Sequence, residues 1–213
     1  MIQHTLQHSS HLCSHFSINK YIGLNISSKL SWNHHVDCVT KRATQTLNFV
    51  RRNFSACPLH IREHCYTTLV RPQLEYASSV WDNNIQCHIN KLESVQRRAA
   101  RFVCHDYRQT SSVTSMLQRL SWDSLQQRHA HNRVWMLYRI RNGLVAIPPD
   151  HLKPTTVATR RHETRYMQIR CNTCMYSQTF FPSAVGLWNR VPSDTCYLAP
   201  DSFKLELSEI NFI

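Results

Sequence analysis

The sequence predicts a mainly helical protein with a short N-terminal strand and an irregular C-terminal region containing short strands. Three observations carry that reading. Apolar residues recur at steps of three and four through most of residues 33–142, the spacing of a helix with one buried face. Only three glycines interrupt the 213 residues. Most of the eight prolines fall after residue 140, where the helical period fades. Three regions follow: 1–28 with the strand, 29–145 as the helical bundle, and 146–213 as an extension of loops, short strands and a short helix.

Residues 20–26 alternate in the manner of a strand, with Gly23 at a bend or close approach and Ser27-Ser28 closing it. Standing alone, such a strand would present an unpaired edge. From Asn33 a helix places Val36, Val39, Ala43, Leu47 and Val50 on one stripe, with Lys41, Arg42, Arg51 and Arg52 off it. It should end near Cys57-Pro58, because a residue before proline is pushed out of the helical region. Ile61, Cys65 and Leu69 give a second helix stopped by Pro72. The third, residues 89–103, carries Leu92, Val95, Ala99 and Phe102 on one face and Arg97, Arg98 and Arg101 on the other. Val113, Met116, Leu117 and Leu120 form a short fourth helix. Ser121 then caps a long one with Ala130, Val134, Leu137 and Tyr138 inward and Gly143 just past its end. Beyond it the expected elements are strands at 157–159 and 166–170, a brief helix at 184–188, and a weak tail pattern of Phe203, Leu205 and Leu207. Most of the tryptophans are expected to be buried anchors.

Twenty-five lysines and arginines against 13 acidic residues leave a net charge of +12, which favours polyanionic partners, nucleic acid above all. No apolar stretch approaches the roughly 18 residues of a membrane span, so no membrane association is expected. The N-terminus is polar and histidine-rich, without the apolar core of a secretory signal. Nine cysteines, odd in number and irregular in spacing, read as reduced thiols of an intracellular protein, nuclear or cytoplasmic.

Catalytic patterns are sparse. Phosphoryl transfer by two Mg²⁺ ions needs paired carboxylates, yet no two of the seven aspartates (Asp37, Asp82, Asp106, Asp123, Asp150, Asp194 and Asp201) are adjacent. Cys65 with His64 and His60 has no glycine-rich oxyanion loop behind it, and falls on an apolar stripe. His4, His8, His11 and His15 share one helical side, and Cys171 and Cys174 form a lone CxxC; neither set offers four convergent zinc ligands. No metal, cofactor or small-molecule substrate is expected.

Residues 69–102, LVRPQLEYASSVWDNNIQCHINKLESVQRRAARF, together with KYIGLNISSKLSWNHHV upstream and QTFFPSAVGLWNRVP downstream, carry a resemblance. They are similar, in order and approximate spacing from about Lys20 to Lys204, to the C-terminal part of the reverse transcriptases of non-LTR (LINE-like) retrotransposons, the jockey and CR1-like groups. The resemblance implies a thumb-like helical bundle after the end of a palm, with the catalytic aspartates expected before residue 1. A fragment of that kind would have neither polymerase nor endonuclease activity. It also implies contact with RNA or an RNA/DNA duplex through phosphates, for which Lys41, Arg42, Arg51, Arg52, Arg97, Arg98 and Arg101 are the candidate residues. The Arg160-Arg161 and Arg165 group reads rather as a solvated loop. The alternative is a domesticated or decaying helical module whose basic face is incidental and which binds other proteins or nothing.

Overall fold

The computed structural model describes residues 18–82, 84–155 and 164–213. It is mainly helical, with one two-stranded antiparallel sheet at its N-terminal end. The single expected strand is in fact a hairpin, β1 (Ile18–Tyr21) and β2 (Leu24–Ser27), paired Tyr21 to Leu24 and Ile18 to Ser27. Ile22 and Gly23 both take positive φ (45° and 82°), the turn whose twist suits a two-residue hairpin. One glycine in an alternating run does not announce such a turn, because Ile22 is a poor residue for left-handed backbone. The tip is held from outside instead: the Tyr76 hydroxyl donates to the Ile22 carbonyl at 3.1 Å. The strand therefore has its partner beside it, and Leu24 is buried in the first core.

Helix α1 (Asn33–Phe54) follows the expected stripe, with Val36, Ala43, Leu47 and Val50 buried and Val39 packed at the core's margin. The next segment corrects the sequence reading. Helix α2 (Leu59–Cys65) passes through one wide turn (Tyr66–Val70) into α3 (Arg71–Glu75), so Pro72 does not stop it. The Arg71 N–H reaches back to the Tyr66 carbonyl, a five-residue step that inserts an extra residue. Pro72 then sits in the first turn after the bulge, where a missing N–H costs little. The added residue rotates the inner face. Cys65, Tyr66, Val70 and Leu74 are buried, whereas Ile61 and Leu69 face outward.

After α4 (Ser78–Trp81), helix α5 (Gln86–Cys104) runs parallel to α1. Asn33 bonds His88 (2.7 Å), Lys91 pairs with Asp37 (2.5 Å), and Arg98 donates to Thr44 (3.0 Å), a register that advances in step along both helices. Leu92, Val95, Ala99 and Phe102 face inward as expected. Helix α6 (Val113–Arg119) is capped by Ser112. The long helix α7 (Leu125–Arg141) is capped by Ser124, whose hydroxyl accepts from Gln127 N–H, not by Ser121; Ser121 lies at φ 52°, outside the extended range a cap residue uses. Gly143, at φ 65°, closes α7 as expected, with Leu144 N–H on the Arg139 carbonyl and Gly143 N–H on that of Ile140.

Helix α7 joins two cores. Leu125 belongs to the first, with α1, α5 and α6; Ala130, Val134, Leu137 and Tyr138 belong to the second. That second core is built with α9 (Phe180–Trp188) and α10 (Pro200–Glu209), after the short α8 (Cys174–Ser177). The C-terminal region is thus more helical than its sequence announces. Phe203 and Leu207 point inward four residues apart while Leu205 is 70% exposed, a helical step in place of the weak tail pattern. Residues 166–170 form no strand. Tyr166 makes one isolated bridge with Pro154, and its remaining N–H and carbonyl are taken by the Asn189 amide at 3.0 and 2.9 Å, in the place a neighbouring strand would occupy. The expected strand at 157–159 lies outside the described residues. Trp81 and Trp188 are buried anchors, while Trp32, Trp122 and Trp135 are half-buried at the edges of the two cores.

Candidate nucleic-acid interface

The parallel packing of α1 and α5 sorts the seven candidate cations into separate places. Lys41 and Arg42, both exposed, line a groove of about 710 Å³ between the hairpin, α1 and the bent segment before Tyr76. Lys20 joins them there, and no carboxylate lines the groove among the described residues. Val39, Leu69, Pro72 and Tyr76 give it an apolar wall. His35 forms part of its floor, buried edge-on against Trp81 (5.3 Å) and Trp32 (5.9 Å). Its Nδ1 accepts from the Asn25 N–H at 3.3 Å, which fixes the hairpin to α1. Burial lowers the affinity of this imidazole for a proton, and the neighbouring His34 lowers it further.

Arg51 and Arg52 sit at the other end of α1, where α5 also ends. His105 closes α5 in left-handed backbone, with Asp106 N–H on the Arg101 carbonyl, so the chain turns back sharply and delivers Tyr107 beside α1. The Arg51 guanidinium stands 5.5 Å from the Tyr107 ring centre and the His105 ring meets it edge-on at 6.0 Å. Two shallow depressions flank the tyrosine. One, of about 510 Å³, is lined by Asn48, Arg51, Arg52, Ser55 and His105. The other, of about 540 Å³, is lined by Cys104, His105, Asp106, Arg108 and Arg119. Among the described residues Asp106 is the one carboxylate lining either. It is occupied by Arg108 (2.9 Å) and the Ser111 hydroxyl (2.7 Å), which hold its carboxyl well below the usual range.

The three arginines of α5 have different neighbours. Arg98 bridges to α1 through Thr44 and also donates to its own helix at Ser94. Arg101 is half-buried and donates to the Arg108 carbonyl at 2.9 Å, which ties it to the Tyr107 loop. Arg97 is exposed on the outer side. Glu93, four residues before Arg97 on the same helix, turns inward. It accepts from the Gln126 N–H at 3.2 Å, an anion at the start of α7, and Arg97 acts on it only as a nearby charge. Burial pushes the Glu93 carboxyl up, against those N–H groups.

The structure therefore gathers Arg51, Arg52 and Arg101 with His105, Tyr107, Arg108 and Arg119, four residues the sequence reading did not single out. Their one signal was Tyr107-Arg108, an aromatic and a cation adjacent in a polar link between two helical periods. Arg160 and Arg161 lie outside the described residues, as do the four N-terminal histidines. Cys171 donates to the Ile169 carbonyl, and Cys174 opens α8. Among the described residues no three His, Cys, Asp or Glu side chains converge as metal ligands, and no helix is long and apolar enough to cross a membrane. No protein-family model, curated protein or solved structure matches this chain.

Proposed function

We propose that this chain is a non-catalytic nucleic-acid-binding body, a thumb-like part of a non-LTR-type reverse transcriptase, that grips RNA, alone or paired with DNA, through phosphates and without sequence specificity. The observation that carries the reading is that Arg51 and Arg52 line one of two adjoining depressions beside Tyr107 and Arg108 and Arg119 the other, with Arg101 tied to the same loop and the Asp106 carboxylate there already paired with Arg108. Guanidiniums crowded in this way repel one another unless an anion sits among them, and planar guanidiniums match phosphate oxygens two at a time. The wording of residues 69–102 supports the same reading. The sequence has no adjacent aspartates of the kind the resembled polymerases use to hold their metal pair, and on this reading the chain extends no primer.

Binding of a labelled RNA strand, alone and paired with DNA, at about 50 and about 200 mM salt tests the proposal, because phosphate contacts make affinity fall steeply with salt. The triple variant Arg51→Gln, Arg52→Gln, Arg101→Gln should weaken binding to duplexes of any sequence by a similar factor. It should also make the slope of log K against log salt shallower by about 2–3. A parent that binds neither the duplex nor the RNA strand alone, or a triple variant with the parent's slope, removes nucleic acid from this face and returns the basic surface to solvation.

A further inference from the structure

The Tyr107 corner has a shape that a row of phosphates alone does not require. Tyr107 is 48% exposed. What the chain places against it is a cation and an imidazole edge: the Arg51 guanidinium at 5.5 Å and His105 at 6.0 Å. The ring stands between two depressions, with Arg51 and Arg52 in one and Arg108 and Arg119 in the other. An aromatic spur with cations on both sides is the arrangement that holds one base by its face and the phosphates on either side of it by charge. Every base has a π-face, so such a platform reads no sequence.

We infer that Tyr107 is a stacking platform for an unpaired base, and that this corner takes single-stranded nucleic acid in preference to duplex. The inference rests on the nucleic-acid reading of the same face and narrows it. A base inside a duplex is already stacked on both faces and cannot reach a side chain beyond the phosphates, whereas a single strand offers its bases without unpairing. Arg51 stiffens the platform, because its guanidinium against the ring limits the ring's freedom before a base arrives. The Asp106–Arg108 and Arg101–Arg108 contacts fix the loop that carries it.

The test uses the full chain and three labelled probes of equal phosphate count: a single-stranded oligonucleotide, a duplex, and a strand of abasic sugar-phosphates. The parent should bind the single strand more tightly than the duplex at equal salt, and the abasic strand more weakly than the normal one. Tyr107→Ala should lose roughly tenfold on the single strand and little on the duplex or the abasic strand, the scale of removing one stacked base. Tyr107→Phe keeps the ring and should bind as the parent does. The salt slope should be the same in all three proteins, since no cation is removed. The abasic comparison needs no variant, so it decides the matter even if Tyr107→Ala folds poorly. Equal binding of normal and abasic strands by the parent, or an equal loss on strand and duplex in Tyr107→Ala, overturns the platform and leaves the phosphate-binding face standing. A parent that binds none of the probes at low salt overturns both.

Discussion

Arg133 on α7 is 1% exposed and donates to both the carbonyl and the carboxylate of Asp82, whereas Arg52 at the end of α1 faces solvent beside an exposed tyrosine. Asp82 is itself buried, and His129 approaches the same carboxylate oxygen at 3.5 Å while its other nitrogen meets the Leu74 carbonyl at 3.1 Å. Trp81 lies between His35 and His129, both edge-on, so this polar knot is walled by aromatic rings that connect α1 to α7. The two arginines contribute equally to the net charge and differ in every other respect. A basic composition is therefore no map of a binding surface. Each cation must first be sorted by whether the chain already supplies its anion.

Breaking the buried side should have the largest effect. Asp82→Ala leaves the Arg133 guanidinium buried without its carboxylate, a change that costs about 3–5 kcal/mol. For a chain of this size that is on the order of 10 °C in Tm. Replacing both partners, Asp82→Leu with Arg133→Met, should recover most of the loss, since an apolar pair needs no compensation. Nucleic-acid affinity per folded molecule should not change in either variant. Calorimetry of Asp82→Leu, Arg133→Met and the double gives the coupling directly, and a single variant no costlier than a surface change would show that water reaches the pair.

The same contrast governs acid stability. Burial favours the neutral forms of His35 and His88, so both hold a proton less readily when folded than at the ordinary 6.5. The unfolded chain then binds more protons as pH falls through 6.5, and stability must fall with it. Burial alone would raise the Asp82 carboxyl, but the His129 hydrogen bond and the charges of His129 and Arg133 outweigh it and hold it below the ordinary 3.8. The stability this group contributes is present above 3.8 and is lost as pH falls through its lower folded value. Tm should accordingly decline below neutrality and drop again in strong acid. His35→Phe, which keeps the edge contacts with both tryptophans, should flatten the first decline. The surface guanidiniums stay charged throughout, so the salt dependence of binding should persist for as long as the chain is folded.

What the sequence revealed and what it hid divide along the same line. The faces of α1 and α5 are legible because each helix has one apolar stripe, and a helical period needs only local spacing to be seen. The segment from Leu59 to Glu75 is misread because a wide turn adds one residue, and nothing in TTLV marks it. Arg133 is hidden because its partner lies 51 residues away, and a charged residue on a helix reads as surface until that partner is placed. Ser124 and not Ser121 caps α7, and Glu93, 33 residues away, accepts a further N–H of that helix's first turn. Tyr107 becomes visible only when the left-handed turn at His105 folds its loop against the end of α1. Long-range partners made these sites, and single-sequence periodicity carries no long-range partners.

The smallest expected effect draws the edge of the interface. Arg97 lies on the outer side of α5, exposed, while Glu93 four residues before it is engaged with the start of α7. Arg97→Gln should leave stability within about 0.5 kcal/mol, because glutamine keeps the helix propensity and no buried contact is lost. Its effect on binding depends on how far the nucleic acid extends. If the contact is confined to the corner around Tyr107, Arg97→Gln should leave the salt slope unchanged, whereas Arg52→Gln should reduce it by about one phosphate's worth. If the strand instead continues along the outer face of α5, the two variants should lose the same slope. Arg98→Gln separates a third case, because Arg98 also joins α5 to α1 through Thr44. A loss of affinity there with a fall in Tm would come from loosened helix packing, while a loss with unchanged Tm would place Arg98 on the phosphates. Comparing the three single variants at two salt concentrations therefore measures the length of the contact one cation at a time.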